Sequence, residues 1–319
     1  MVDAQSMEIR YYKSNPSWGK TIYVIGLPRS GKSTIFNVIG SCGYVEALEE
    51  PFELLSIAQK GSCYSPDSSI YESYLDSYMA AMENSFSELV LGRIYNFREN
   101  DKSCIYNIKS PEHVVNAHNI SRRSDFLNYV RKACHAFLIA FNDVEQSIKL
   151  ITSNVPEPII VHVKRNYHEV AGEIADKGWL TDDQLSTQAN LTPAYKLVIR
   201  TMDKNIYVPY LINEENVDLF LSLDNYNRSL MYAFLQDNAL ENALKDYQKP
   251  VIKILYNDLI SCPNVVFGKL LADLSLEPTT LTKKNIQSIK QIRREGDDIA
   301  AFNVHASLMQ YISNYNLGE

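Results

Sequence analysis

The sequence predicts an α/β protein whose mostly parallel sheet is flanked by helices. Two patterns predict it. The stretch TIYVIGLPRSGKST, Thr21 to Thr34, reads as a buried strand, a glycine-bounded turn and the start of a helix. Beyond it, short apolar runs alternate with long stretches of helical periodicity. Strands separated by helices pair in parallel, because a parallel neighbour needs a crossover long enough to hold a helix. The chain has 319 residues, 45% of them hydrophobic, and no break in composition divides it. That is core material for one large domain. The expectation is a single α/β domain over residues 1–319, with helical insertions at about 62–98 and 180–246.

The elements follow in chain order. Thr21 to Leu27 is β-rich and stops at a glycine and proline turn, so it is a strand. Ser33 to Ile39 is the helix after the turn. Ile70 to Arg98 carries Tyr71, Tyr74, Leu75, Tyr78, Met82, Phe86 and Leu89 at helical spacing, as one long or two short helices. Cys104 to Ile108 reads as a second strand, cut by Pro111, and Phe126 to Ile151 as helix. Ile159 to Val163 is a third strand, stopped at a basic turn. Leu180 to Asp246 is mainly helical, with breaks at Pro193 and Pro209. Val251 to Leu255 is a fourth strand, and a helix follows Pro263.

Composition narrows the function classes. With 31 basic and 38 acidic side chains the net charge is −7. An acidic chain is a poor match for a dedicated nucleic-acid or anionic-membrane binder. The five cysteines are scattered, with no CxxC pair, which fits single thiols in a reducing compartment. The N-terminal residues have no apolar core of signal-peptide type. No apolar run approaches the ~20 residues of a membrane span. A cytoplasmic protein is expected.

Gly26-x-x-x-x-Gly31-Lys32-Ser33 sits where a phosphate loop must sit, between a strand and a helix. Glycines let backbone N–H groups turn inward, and the new helix adds its positive end, so the turn binds anions. Lys32 is placed to reach terminal phosphates, and Ser33 to hold magnesium or an oxygen. A nucleoside-triphosphate enzyme usually also holds magnesium through an acid at the end of a second strand. The candidate strands end in IKSP, VKRN and LYND. Asp258 is the acid among them, with Asp143 in LIAFND a further candidate if that run is a strand. The strand ends instead supply a basic cluster: Arg29, Lys32, Lys109, Lys164 and Arg165. Ligands of a parallel sheet collect at that edge.

With these segments in hand, the chain resembles the sulfotransferases that use 3′-phosphoadenylyl sulfate. GLPRSGKST looks like the family's 5′-phosphosulfate loop, usually PRSGTT. EALEEPFEL resembles a Glu-Pro element after the first helix, NIKSPEH a Lys-Ser-Pro strand end, and VHVKRNYHEV the 3′-phosphate strand and turn. ILYNDLISCPNVVFGKLLADLSLEP is similar to the family's late strand and helix. Together these segments run from Thr21 to Pro278. The sequence departs from the family at Lys32 and Ser33, which replace two threonines, and at Tyr167, which replaces a proline. Glu173 stands where the 3′-phosphate serine is expected, and a carboxylate there repels a phosphate.

The resemblance implies roles. Arg29, Ser30, Gly31, Lys32, Ser33 and Thr34 would bind the 5′-phosphosulfate, with Arg165 and position 173 at the 3′-phosphate. Lys109 would stabilise the leaving oxygen or orient the acceptor. Glu50 matches the position of a catalytic glutamate, with Glu49 as its competitor and His113 as the other candidate base. The other role open to Glu50 is that of a first-turn acid stabilising the helix from Phe52. The implied reaction moves a sulfuryl group to a hydroxyl or amine of a small-molecule or sugar acceptor. The donor would be 3′-phosphoadenylyl sulfate, leaving as adenosine 3′,5′-bisphosphate. The alternatives are a magnesium-ATP- or GTP-dependent kinase and a non-catalytic nucleotide-binding regulator. No metal site is expected: His118, His135, His162 and His305 lack ligand spacing. His162 reads as a core residue, His168 as exposed, and Arg293 and Arg294 as a solvated helix end. The Tyr71, Tyr74 and Tyr78 stripe reads as packing. Nothing in the sequence sets the oligomeric state.

Overall fold

The strand that carries the phosphate turn is the middle one of its sheet. The computed structural model describes residues 18–43, 45–90, 136–187, 195–200, 205–245, 247–289 and 304–317. Among them β1 (Lys20–Gly26) lies between β3 (Ala136–Ala140) and β4 (Pro158–Lys164). β2 (Val45–Glu49) pairs outside β3, and β7 (Val251–Leu255) outside β4, giving the order β2-β3-β1-β4-β7. All four pairings are parallel. The chain therefore leaves β1 toward one side and later returns on the other. A crevice opens at the carboxyl end of such a switch point.

Alternation along the central strands divides the core between the two faces. Tyr23, Ile25, Phe137, Ile139 and Ile160 face one layer, built from α2 (Phe52–Ser62), α3 (Ser69–Val90), α5 (Tyr167–Asp176) and α8 (Asn225–Lys245). Ile22, Val24, Leu138, Val161 and Val163 face the other, built from α1 (Lys32–Gly40), α9 (Tyr256–Ser261), α10 (Pro263–Asp273) and α11 (Thr280–Ile289). Phe137 anchors the first layer: its ring meets Trp18 at 5.6 Å and Phe86 at 5.1 Å between centroids. Tyr78, Met82 and Phe86 of α3 are buried in the same layer, so that stripe packs as its spacing predicts. No helix among the described residues is long and apolar enough to cross a membrane.

Three expectations change. Ala136–Ala140, expected within a helix, is the strand β3, and among the described residues that stretch turns helical at Glu145–Ser147, a 3-10 turn that leads into the short α4 (Ile148–Thr152). The reason is burial on both faces. AFLIA has no period of its own, and a fully apolar run does not distinguish strand from helix. β2 was not expected at all, because its alternation is hidden by glutamates that sit in it: Glu46 is buried. The 180–246 segment is helical at α6 (Asp182–Thr187), α7 (Val217–Ser222) and α8, but it also holds an antiparallel pair, β5 (Tyr195–Arg200) and β6 (Asn205–Pro209). YKLVIR and NIYVP are rich in β-branched and aromatic residues, and that outweighs the helical reading. The strand expected at Cys104 to Ile108 lies outside the described residues. The C-terminal helix is α12 (Ala306–Leu317).

One buried cation fixes the layer that frames the site. Arg228 of α8 is 6% exposed. It donates to the carbonyl oxygens of Phe220, Leu221 and Leu180 and to the Asp182 carboxylate, at 2.6–3.2 Å. Two of these carbonyls belong to the last turn of α7, where the Phe220 oxygen also accepts from Leu223 N–H at 3.3 Å. Arg228→Met keeps the packing volume and strands the carbonyls. It is expected to cost about 2–4 kcal/mol in urea unfolding.

Candidate functional site

The turn from β1 to α1 is shaped by its two glycines. Gly26 has φ 151°, and a Cβ there would lie 2.4 Å from the Val163 carbonyl oxygen of the paired strand. Gly31 caps α1 with φ 96°, and a Cβ there would meet the Tyr256 ring at 2.9 Å. No side chain caps α1, so its first N–H groups face the turn. Lys32 is buried and donates to the carbonyl oxygens of Gly26 at 2.8 Å and Leu27 at 2.5 Å. Burial lowers its pKa to about 8, against the opposing pull of Glu50, Asp143 and Glu49. The Ser30 hydroxyl is buried without a hydrogen-bond partner among the described residues. Arg29 and Ser33 stand at the exposed rim, and Thr34 lies just inside the helix.

Carboxylates crowd the β2 and β3 side of this turn. Ser33 Oγ donates to Glu49 Oε1 at 2.6 Å. Glu50 follows β2 with φ 46°, held by its N–H to Ala140 O at 2.9 Å and by the Asn142 side-chain amide on its carboxylate. A left-handed glutamate before Pro51 is a strained backbone, and strain of this kind collects at functional positions. Asp143, also left-handed at φ 50°, accepts from Tyr232 and Gln236 of α8. Glu145 is buried two residues on, and burial together with Asp143 pushes it up to about 8. The sequence had offered Asp258 and, if LIAFND is a strand, Asp143 as acids for a metal. AFLIA is a strand, and beside the turn Glu49 ends β2 while Glu50 and Asp143 follow the ends of β2 and β3. Asp258, the acid the strand ends had offered, is exposed in the first turn of α9.

The β4 side is basic but internally neutralised. Arg165 donates from Nη1 to the Arg29 carbonyl oxygen at 2.9 Å, and its guanidinium lies 4.2 Å from the centre of the Tyr256 ring. It also pairs with Glu169 at 3.0 Å and Glu173 at 3.4 Å. Glu173 bridges to Arg29 at 3.0 Å as well. Lys164 pairs with Glu241 and Asp237 of α8. Glu173 is thus held by two arginines. Next to them a cavity of about 370 Å³ opens at the ends of β4 and β7, lined by Lys164, Arg165, Tyr167, Tyr256 and Asn257. His162 lies within β4, buried, with its pKa lowered to about 4 by burial. His168 is half-buried against Tyr167. Lys109, His113, Arg293 and Arg294 lie outside the described residues.

Of the residues singled out in the sequence, the structure brings Arg29, Ser30, Gly31, Lys32, Ser33, Thr34, Glu49, Glu50, Asp143, Arg165 and Glu173 to one edge of the sheet. Glu145, Gln236, Tyr232 and Tyr256 were missed. The signal for the first was available: a buried five-residue run followed by Asn-Asp-Val-Glu is a strand ending in acids.

No protein family's sequence pattern matches the chain, and no curated protein matches it. Solved structures similar to it include the sulfotransferase STF9 from Mycobacterium avium, at 10% identity over 94% of this chain and 76% of that one, TM-score 0.44. The sulfotransferase domain of the Synechococcus PCC 7002 olefin synthase is similar at 8% identity over 94% and 95%, TM-score 0.45. Sulfotransferase STF1 from Mycobacterium tuberculosis H37Rv is similar at 11% identity over 86% and 72%, TM-score 0.40. At these identities the similarity is one of fold.

The raised pKa of Glu145 has a direct effect on stability. Between its ordinary value of 4.5 and about 8, the folded chain holds a proton that the unfolded chain has lost. Stability therefore falls as pH rises through that window. Glu145→Gln removes the titration. Its melting temperature is expected to exceed the parent's at pH 8, and to decline less steeply between pH 5 and pH 8. An unchanged slope would place the titration elsewhere.

Proposed function

We propose that the protein transfers a sulfuryl group from 3′-phosphoadenylyl sulfate to a hydroxyl or amine of a small-molecule or sugar acceptor. The observation that carries this reading is the junction of Arg165 with the Arg29 carbonyl. It sets an arginine of the phosphate turn and an arginine of the β4 end at one mouth, beside the cavity under Tyr256. A nucleotide with anionic groups on both its 5′ and 3′ sides suits such a pair. The N–H groups of the turn, Ser30, Lys32 and Thr34 hold the 5′ side, and Arg165 the 3′ side.

The donor supplies an activated sulfuryl group. Lys32 and the start of α1 stabilise charge on the oxygen that leaves. Glu50, aimed by Asn142, takes the proton from the acceptor hydroxyl. Glu173 holds the two arginines until the 3′-phosphate replaces it. Lys109 and His113 remain proposed contributors from outside the described residues.

A second reading is favoured by one contact. The Ser33–Glu49 hydrogen bond is the pairing that a magnesium-nucleotide kinase would use, with serine and acid sharing the ion's coordination shell. In that case Glu49 binds through the metal and Glu50 activates the acceptor.

Differential scanning fluorimetry separates the two. Adenosine 3′,5′-bisphosphate is expected to raise the melting temperature without metal, and Lys32→Ala to abolish the shift. A shift produced only by magnesium-ATP sinks the sulfuryl reading. Glu50→Gln is expected to lower kcat by about 10²–10⁴ with bisphosphate affinity unchanged. Glu173→Gln removes the carboxylate that both arginines share, leaving Arg165 its pair with Glu169, and is expected to tighten bisphosphate binding at least about 5-fold, in line with the loss of a competing charged partner. Weaker binding in Glu173→Gln would mean that the residue organises the arginines instead of competing for them.

A further inference from the structure

A second cavity, of about 240 Å³, opens on the acidic side of the phosphate turn. Gln59 and Lys60 of α2, Asp143 and Glu145 after β3, Tyr210 after β6 and Tyr232 of α8 line it. It shares Asp143 with the turn, and Asp143 lies within electrostatic reach of Lys32.

Its polar lining is unbalanced in one direction. Glu145 is 8% exposed, and its Oε2 meets no hydrogen-bond donor among the described residues. Gln59 Oε1 and, behind the cavity, Gln236 Oε1 are in the same condition. Both amides turn their NH₂ groups to acids after β3: Gln59 to the Asp143 carbonyl at 2.9 Å, and Gln236 to the Asp143 carboxylate at 2.8 Å and to the Glu145 carboxyl, whose Oε2 stays without a donor. Flipping either amide to serve another group would give up that bond and set oxygen against oxygen. The surplus is therefore one of acceptors, and a buried acceptor without a donor is costly. What completes it is a ligand rich in donors.

Charge points the same way. Glu49, Glu50, Asp143 and Glu145 surround the region, and Lys32 is the buried cation among them; Lys60 is exposed at the rim. Tyr210 and Tyr232 add aromatic faces, which attract cations. A metal ion is a poor fit, because no three His, Cys, Asp or Glu side chains among the described residues are arranged to hold one. At neutral pH burial keeps a proton on Glu145. A seated ammonium pairs with the ionised carboxylate, so its binding releases that proton to solvent.

We propose that this cavity is the acceptor pocket, and that the acceptor carries an ammonium group beside its hydroxyls, as an amino sugar does. The ammonium sits between Glu145, Asp143 and the Gln59 carbonyl oxygen, under the ring of Tyr210. The hydroxyl to be modified then lies toward Glu50 and the phosphate turn. The term acceptor rests on the transferase reading above; the cation preference does not.

Calorimetric titration of the full chain without any donor tests it, with glucosamine, N-acetylglucosamine and glucuronate as probes. Glucosamine is expected to bind at least about 10-fold tighter than N-acetylglucosamine, and glucuronate not to bind. Glu145→Gln, close to isosteric, should weaken glucosamine about 10-fold and leave the bisphosphate-induced melting shift intact. Tyr210→Ala, at an exposed site where folding is not at risk, should weaken it about 2–5-fold. Equal affinity for glucosamine and its N-acetyl form overturns the proposal, as does full glucosamine affinity in both variants. Glucosamine discrimination without any bisphosphate response removes the sulfuryl donor and leaves the cation-binding pocket standing.

Discussion

The ammonium of Lys32 is the point on which the site depends. It is buried at the start of α1 and bonded to the carbonyl oxygens of Gly26 and Leu27, which close the end of the central strand. A charge in that position must be compensated. The chain compensates it from the β2 and β3 side, where Glu49, Glu50 and Asp143 all raise the lysine's pKa against the desolvation that lowers it. The carboxylates are in turn held by hydroxyls and an amide of α1 and α8, and Gln59 of α2 holds the Asp143 backbone carbonyl. The phosphate turn, the acids and the helical layer above them thus form one electrostatic unit.

That unit gives the edge of the sheet two chemically different halves. On the β4 side the cations are Arg29, Arg165 and Lys164, each matched by carboxylates of α5 or α8. On the β3 side the groups are acids and amide oxygens, with surplus acceptor capacity. An anionic donor suits the first half and a cationic acceptor the second, and the turn lies between them. The opposite assignment would set like charges together on both sides.

Much of this was legible in the sequence. The strand–glycine–helix pattern located the turn from β1 to α1, and the apolar runs at Ile159–Val163 and Val251–Leu255 located β4 and β7. The acidic half was hidden for two physical reasons. AFLIA is buried on both faces, so it carries no alternation, and β2 contains a buried glutamate that breaks the apolar pattern. Without these strands, Glu49, Glu50 and Asp143 had no common edge to share. Pairings such as Glu173 with Arg29 depend on where α5 packs, and residues 144 positions apart carry no local signal of their meeting.

Tyr256 ties the two halves of the donor edge in a further way. Its ring leaves no room for a side chain at position 31, and the same ring carries the guanidinium of Arg165. Three positions far apart in the chain therefore share one volume. Over evolutionary time they are not free to drift singly. A smaller residue at 256 would relieve the clash at 31, where φ 96° still favours glycine, and would remove the platform under Arg165 in the same step. Relatives of this chain should accordingly keep the glycine, and keep or lose the arginine and the aromatic ring together.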